Sequence, residues 1–262
     1  MKKIVIDGEI KAYLDEKVFQ YNNPNFIESD PISIPHRYSL KEDIEIAGFL
    51  AATISWGTRK SIVKTGHRML DLLGDSPFDF VMSHNTNQLK RLEGFVYRTF
   101  NQNDFKYFIK ALKNIYAKHG GMEQLFKLNA TDHSLQYAIH HFKKLFFELP
   151  HEARIEKHVS DPLRGSAAKK INMLLRWLIR NDNKGVDFGL WKSLKPSQLS
   201  CPLDVHSGRT ARTLGLLLRQ QNDATTVEEL DRSLRTLDPQ DPVKYDFALF
   251  GIGISGELEH LV

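Results

Sequence analysis

The apolar residues of this chain return at helical spacing along most of its length, and that period restricts it to an all-α fold. Phe105, Phe108, Ile109, Leu112, Ile115 and Tyr116 follow the three-and-four rhythm of one helix face, and Leu135, Ala138, Ile139, Phe142, Leu145 and Phe146 repeat it. Strand-like alternation is scarce. From Ile44 to Ile54 the chain is apolar nearly all round, which predicts a buried central helix ending at Ser55-Trp56-Gly57-Thr58. Another helix is predicted from about Lys60 to Leu73, stopped by Gly74, and Asp161-Pro162 and Asp241-Pro242 each set a capping acid before a proline at a first helical position. Loops are expected at 22–36, 83–88, 181–200 and 220–226, where Asn, Pro, Ser or Asp collect. With no internal repeat and no long linker, the 262 residues read as a single domain.

A chain of this length with 41% apolar residues can build a substantial core. Its first eight residues contain too short an apolar run for a secretory signal, and no segment reaches the roughly 18 uninterrupted apolar residues of a membrane span. The expectation is a soluble, intracellular protein with no membrane partner. The single Cys201 rules out an internal disulfide and any four-cysteine zinc or iron–sulfur site. The 11 histidines show no His-Glu-x-x-His or comparable ligand spacing, so neither a metal nor another cofactor is expected.

The net charge of +4 is small for the whole chain, but its distribution is uneven. Between Arg154 and Arg180 stand Arg154, Lys157, Arg164, Lys169, Lys170, Arg176 and Arg180 against Glu156 and Asp161, a surplus of five. From Asp223 onward nine acids face Arg232, Arg235 and Lys244. A basic middle and an acidic end suggest one face built for a polyanion.

Two segments carry candidate chemistry. In Leu163-Arg164-Gly165-Ser166-Ala167-Ala168-Lys169-Lys170, small residues would let backbone N–H groups approach a phosphate, and the helix that opens there favours the same anion. On that helix Lys169, Asn172, Arg176 and Arg180 share one side and Ile171, Leu174, Leu175 and Leu178 the other. A plain amphipathic helix with a solvated basic face would carry the same pattern. Downstream, Pro202-Leu203-Asp204-Val205-His206-Ser207-Gly208-Arg209 offers a carboxylate at a helix start, with Arg209 and Arg212 on one side of the following helix, whose apolar set is Ala211, Leu214, Leu217 and Leu218.

Leu163 to Lys169 resembles the hairpin and nucleophile helix of the helix-hairpin-helix DNA glycosylase superfamily, and Pro202-Leu203-Asp204-Val205-His206 with Arg209 is similar to its Pro-rich loop and catalytic aspartate. The longer set Leu175-Arg176-Trp177, Gly189-Leu190-Trp191 and Pro202-Leu203-Asp204 resembles most closely the archaeal 8-oxoguanine glycosylase branch, and also a bacterial family usually labelled only as hypothetical. The likeness spans about residues 40–220, with Ser55 to Lys60 in the position of the family's DNA-probing loop.

The resemblance implies two helical lobes, lobe A about 41–199 and lobe B about 1–40 plus 200–262, with a helix-hairpin-helix element and a cleft between them. It implies a monomeric DNA repair enzyme that excises a damaged base, an oxidised purine such as 8-oxoguanine, from duplex DNA and nicks the strand as an AP lyase. Lys169 would be the amine nucleophile, with Lys170 next in line, and Asp204 the assisting carboxylate. Desolvation and neighbouring cations, here Lys170 and Arg164, favour the free amine of such a lysine. Trp56, Asp187, Trp191 and His206 would hold the extruded base, and Arg59, Lys60, Arg164, Gly165, Ser166, Lys170, Arg176, Arg209 and Arg212 the DNA. Each tryptophan could equally fill core space, and His206 could be a satisfied, partly buried histidine. Two other readings share these residues: a helical DNA-binding module without catalysis, which would tolerate loss of Lys169 and Asp204, and a protein-interaction domain whose basic helix docks an acidic partner.

Overall fold

A computed structural model describes residues 8–257, so the reading of the first residues as lacking a signal lies largely outside the described residues. The chain is mostly helical. In order, the helices are α1 (Gly8–Tyr21), α2 (Asn25–Ser29), α3 (Lys41–Thr53), α4 (Arg59–Asp71), α5 (Pro77–Ser83), α6 (Thr86–Leu89), α7 (Gln102–Lys118), α8 (Met122–Asn129), α9 (Gln136–Phe146), α10 (Lys169–Ile179), α11 (Val205–Thr213), α12 (Ala224–Leu237) and α13 (Tyr245–Ser255). A two-residue-strand hairpin that helical periodicity does not foretell, β1 (Val96–Tyr97) and β2 (Phe100–Asn101), pairs antiparallel with Tyr97 opposite Phe100. Among the described residues no helix is long and apolar enough to cross a membrane.

The all-apolar segment forms α3, in which every residue from Asp43 to Thr53 is buried. Its two acids are satisfied inside the protein: Glu45 accepts from the Trp191 indole (2.6 Å) and the Tyr116 hydroxyl (2.5 Å), and Asp43 accepts from Ser76 Oγ and the Phe78 amide. The expected helix after Asp161-Pro162 is only a 3-10 turn, Pro162–Arg164, capped by the Asp161 carboxylate. Asp241-Pro242 likewise opens a 3-10 turn, Pro242–Lys244, that runs into α13. The segments expected as loops carry some local order, such as α2 and α6.

Buried apolar side chains form two clusters. The larger gathers Ile32 through Leu199, centred on α3, α7, α9 and α10, and takes in Val243 and Phe247. The smaller joins Leu14 of α1 and Ala167 to Cys201, Leu203 and the faces of α11, α12 and α13. Helices α11 and α13 approach closely at Gly253, where a Cβ would stand 2.9 Å from the His206 carbonyl. A larger residue there would separate the two helices that carry much of one side of the site.

Candidate active site

Where the two clusters meet, a cavity of about 510 Å³ opens, lined by Phe26, Asp30 and Pro31 before α3, Ser55 to Arg59 and Ile62 around the start of α4, Lys169, Met173 and Arg176 of α10, Pro202, Asp204 and His206, and Asp246, Phe250 and Ile254 of α13. Five separate stretches of chain therefore supply its walls. The volume lies in the range of about 300–1,000 Å³ usual for small-molecule sites.

Local turns aim two of these side chains. Ala168 is buried and holds a left-handed backbone (φ 46°), a conformation that costs free energy for a residue with a Cβ. Its amide donates to Ser166 Oγ, and Asn172 Nδ2 donates to the Ala167 carbonyl, so the turn is fixed and Lys169 becomes the first residue of α10. Asp204 is the N-cap of α11: its Oδ1 accepts from the amides of His206 (2.8 Å) and Ser207 (3.0 Å). Oδ2 is left facing Lys169, whose Nζ lies 3.5 Å away. Both groups are partly enclosed, with 32% of the Lys169 side chain and 17% of the Asp204 side chain exposed. An amine and a carboxylate 35 positions apart in the chain thus meet in one cavity.

The adjacent Lys170 turns elsewhere. Its Nζ donates to the Thr53 carbonyl (2.7 Å) and sits 3.8 Å over the Trp56 ring, away from the cavity lining. Burial, then the neighbouring Lys169 charge, pushes its ammonium down to about 7. The underlying Trp56 ring forms part of the cavity wall and packs edge-on to Tyr97, while His206 donates from Nδ1 to the Gly253 carbonyl (3.3 Å) and borders the cavity beside Phe250. Arg59 also faces inward, its guanidinium 4.5 Å from the Phe250 centroid and 3.4 Å from Asp30 Oδ2. Lys60, Arg164 and Arg209 are exposed.

Other expectations for the site need correcting. Trp191 does not reach it: the ring is 1% exposed, packed on Phe126 and bonded to Glu45. Asp187 shapes no base pocket either, because it is buried between Arg176 (Nε, 3.2 Å) and Arg180 (Nη1, 3.0 Å). Arg176 and Arg180 in turn are not a solvated basic face. Both are nearly fully buried, paired also with Asp246, Asp182 and Asp241, and of the two Arg176 alone is among the residues that line the cavity. Arg154 is paired with Asp104. Much of the basic surplus between residues 154 and 180 is therefore neutralised by acids from other parts of the chain.

Arg212 is occupied by the loop after α11, where it donates to the carbonyls of Arg219 and Gln220 and to Asn222 Oδ1. The turn at Gly165 and Ser166 is not an open row of amides: Arg164, Gly165, Ser166 and Ala168 already donate to Asp161, Pro162, Asp161 and Ser166 respectively. Its other edge pairs with Asp223, Gly165 accepting from the Ala224 amide (3.0 Å).

The cavity also holds residues that sequence reasoning left out. Phe26 and Phe250 sit in stretches without a motif. Asp30 precedes a proline as Asp161 and Asp241 do, which marks a cap and not a site. Asp246 follows the helix-start signal Asp241-Pro242 and carries no motif of its own, yet burial pushes its carboxyl up to about 6 despite the Arg176 charge.

The buried ion network makes a stability prediction. Asp187→Ala removes the carboxylate that bridges Arg176 Nε and Arg180 Nη1, leaving those buried donors without an acceptor while Asp246, Asp182 and Asp241 still balance the two charges, and is expected to destabilise the fold by about 1–3 kcal/mol. Urea unfolding followed by circular dichroism measures it, and a loss below about 1 kcal/mol would show that the network is relaxed by water.

A family model described as protein of unknown function (DUF2400) matches residues 30–255. The chain belongs to that family. No curated protein and no solved structure matches it.

Proposed function

We propose that this protein is a DNA glycosylase with AP lyase activity that excises a damaged base, an oxidised purine of the 8-oxoguanine kind, from duplex DNA. The observation that carries the reading is the 3.5 Å approach of Lys169 Nζ to Asp204 Oδ2 inside a cavity large enough for a nucleoside. The base identity comes from the resemblance to the archaeal 8-oxoguanine glycosylases. On this reading the two apolar clusters act as two lobes, the Gly165 turn as a departed form of the hairpin, and the enzyme works as a cytoplasmic monomer on chromosomal DNA.

The target nucleotide leaves the stack, at a cost of a few kcal/mol, and enters between Trp56 on one side and the Phe26–Arg59–Phe250 group on the other. The guanidinium of Arg59 offers donors to base or phosphate oxygens, and His206 lies beside the same space. Asp204 Oδ2 takes a proton from the Lys169 ammonium. The freed amine attacks C1′, the N-glycosidic bond breaks, and its electron pair leaves with the base, which recovers the proton from Asp204. Once it has given that proton to the base, Asp204 is again a carboxylate, and in the partly enclosed cavity it stabilises the positive charge left on the aminated sugar. Asp204 carries a proton from the Lys169 nitrogen to O4′, and opening of the C1′–O4′ bond gives a protonated imine between Lys169 and the sugar, with O4′ as a hydroxyl. Loss of a C2′ proton to the Asp204 carboxylate gives an enamine, whose electron pair expels the 3′ phosphate and nicks the strand.

The test is a panel of duplexes carrying single oxidised, alkylated or deaminated bases, with released base identified by mass spectrometry. Release of an oxidised purine, accompanied by strand nicking, is the expected result. Failure to release any base from any duplex would end this reading.

A further inference from the structure

The cations along the outer side of α4 have no role in the chemistry above. Lys60, Lys64 and Arg68 recur one helical turn apart, so they stand in a row, and all three are exposed. The row starts next to Arg59, at the cavity wall. Arg68 anchors the hairpin, donating Nη2 to the Val96 carbonyl (3.2 Å) and lying over the Phe95 ring.

The hairpin returns a fourth cation to the cavity mouth. Arg98 and Thr99 form its two-residue loop, and Arg98 has a positive φ of 52°. Of the two loop residues only Arg98 has positive φ, the pattern of a type II′ turn, in which that place belongs ordinarily to glycine. An arginine there is strained, and its side chain folds back on the cavity-lining Gly57: a Cβ built on Gly57 would stand 2.8 Å from Arg98 Nη2. Gly57 itself has φ +119°, so this contact closes only with glycine present. Tyr97, next in the hairpin, donates from its hydroxyl to the Trp56 carbonyl (2.8 Å), tying the same loop down. Among the described residues none of Lys60, Lys64, Arg68 and Arg98 has an ion pair with a carboxylate, whereas Arg154, Arg176 and Arg180 are all paired.

We infer that this row of cations, ending in Arg98 at the cavity mouth, is the track for the phosphate backbone of duplex DNA, with Arg98 on the phosphate beside the extruded nucleotide. The inference rests on the glycosylase reading. Charge complementarity selects the partner: a line of unpaired cations leading to the cavity fits a regular polyanion, and strain accepted at Arg98 keeps a guanidinium where glycine would relax the turn.

The experiment measures the affinity of the full chain for a duplex bearing a tetrahydrofuran abasic-site analogue, across salt from about 50 to about 200 mM. The triple variant Lys60→Gln, Lys64→Gln, Arg98→Gln is compared with Lys110→Gln, Lys118→Gln, Lys192→Gln, which removes the same charge from other exposed positions. The slope of log affinity against log salt is expected to fall by about three in the first variant and to stay unchanged in the second. Arg98→Gly, which relieves the turn, should raise the unfolding temperature and still lose about one unit of slope. An unchanged slope in the first triple variant, or an equal fall in the second, overturns the track. Base release by the unmodified protein, read in parallel, separates the two proposals: release with an unchanged slope leaves the glycosylase reading standing without the track. A lowered slope with no base released leaves the track as a DNA contact and removes the glycosylase reading. Binding to anionic phosphatidylserine vesicles with no binding to the duplex would assign the row to a membrane surface and overturn the track.

Discussion

Replacing Asp204 by asparagine should slow base release by about 10²–10⁴-fold while leaving the protein almost as stable as before. The two effects separate because the carboxylate has two oxygens in two roles. Oδ1 caps α11 by accepting from His206 and Ser207, and asparagine caps as well as aspartate. Oδ2 faces Lys169 at 3.5 Å, and an amide in its place can neither accept the lysine proton nor stabilise a cationic sugar. Asp204→Ala provides the contrast, since it also removes the cap and should cost a further ~0.5–2 kcal/mol of stability. Single-turnover base release and thermal unfolding, measured on both variants, distinguish the roles. If Asp204→Asn keeps the unmodified rate, Asp204 is a helix cap and nothing more.

The parts of the fold that were legible in sequence are the parts fixed by local spacing. The apolar run at Ile44 to Ile54 buries itself as α3 because every side of it must leave water, and the three-and-four rhythm at Phe105 and Leu135 does the same for α7 and α9. Less legible was anything settled by partners far along the chain. Arg176 and Arg180 sit at helical offsets from Lys169 and look like one solvated basic face, yet Asp187, Asp241 and Asp246 arrive from other elements and draw them inside. Trp191 belongs with the quoted motif but finds its hydrogen bond at Glu45, 146 positions earlier.

The site divides in the same way. Lys169 and Asp204 were readable because each stands at a helix start beside its own turn, and both turns deliver their side chains to one cavity with Trp56, Arg59 and His206. The aromatic part of the lining was hidden, since Phe26 and Phe250 carry no motif and only tertiary packing brings them around Arg59. Neighbouring lysines could be told apart only in three dimensions. A turn of 100° per residue sends Lys169 to the cavity and Lys170 to Thr53 and Trp56. Burial and the Lys169 charge push the Lys170 ammonium down, but an amine must reach the sugar before its protonation state matters.

That distinction yields the second large effect. Borohydride reduces an imine between a lysine and an opened deoxyribose to a stable amine, so an enzyme that acts through Lys169 is captured on lesion DNA by a bond that survives denaturation. Peptide mapping of the captured complex should place the sugar remnant on Lys169. Lys169→Gln should lose the adduct altogether and nick no strand, since glutamine has no nucleophilic amine, while Lys170→Gln should still be captured, with affinity altered at most through a less firmly held Trp56. Capture of Lys169→Gln at the unmodified level, or no capture of the unmodified protein on a lesion it demonstrably excises, would contradict the assignment of Lys169 as the nucleophile.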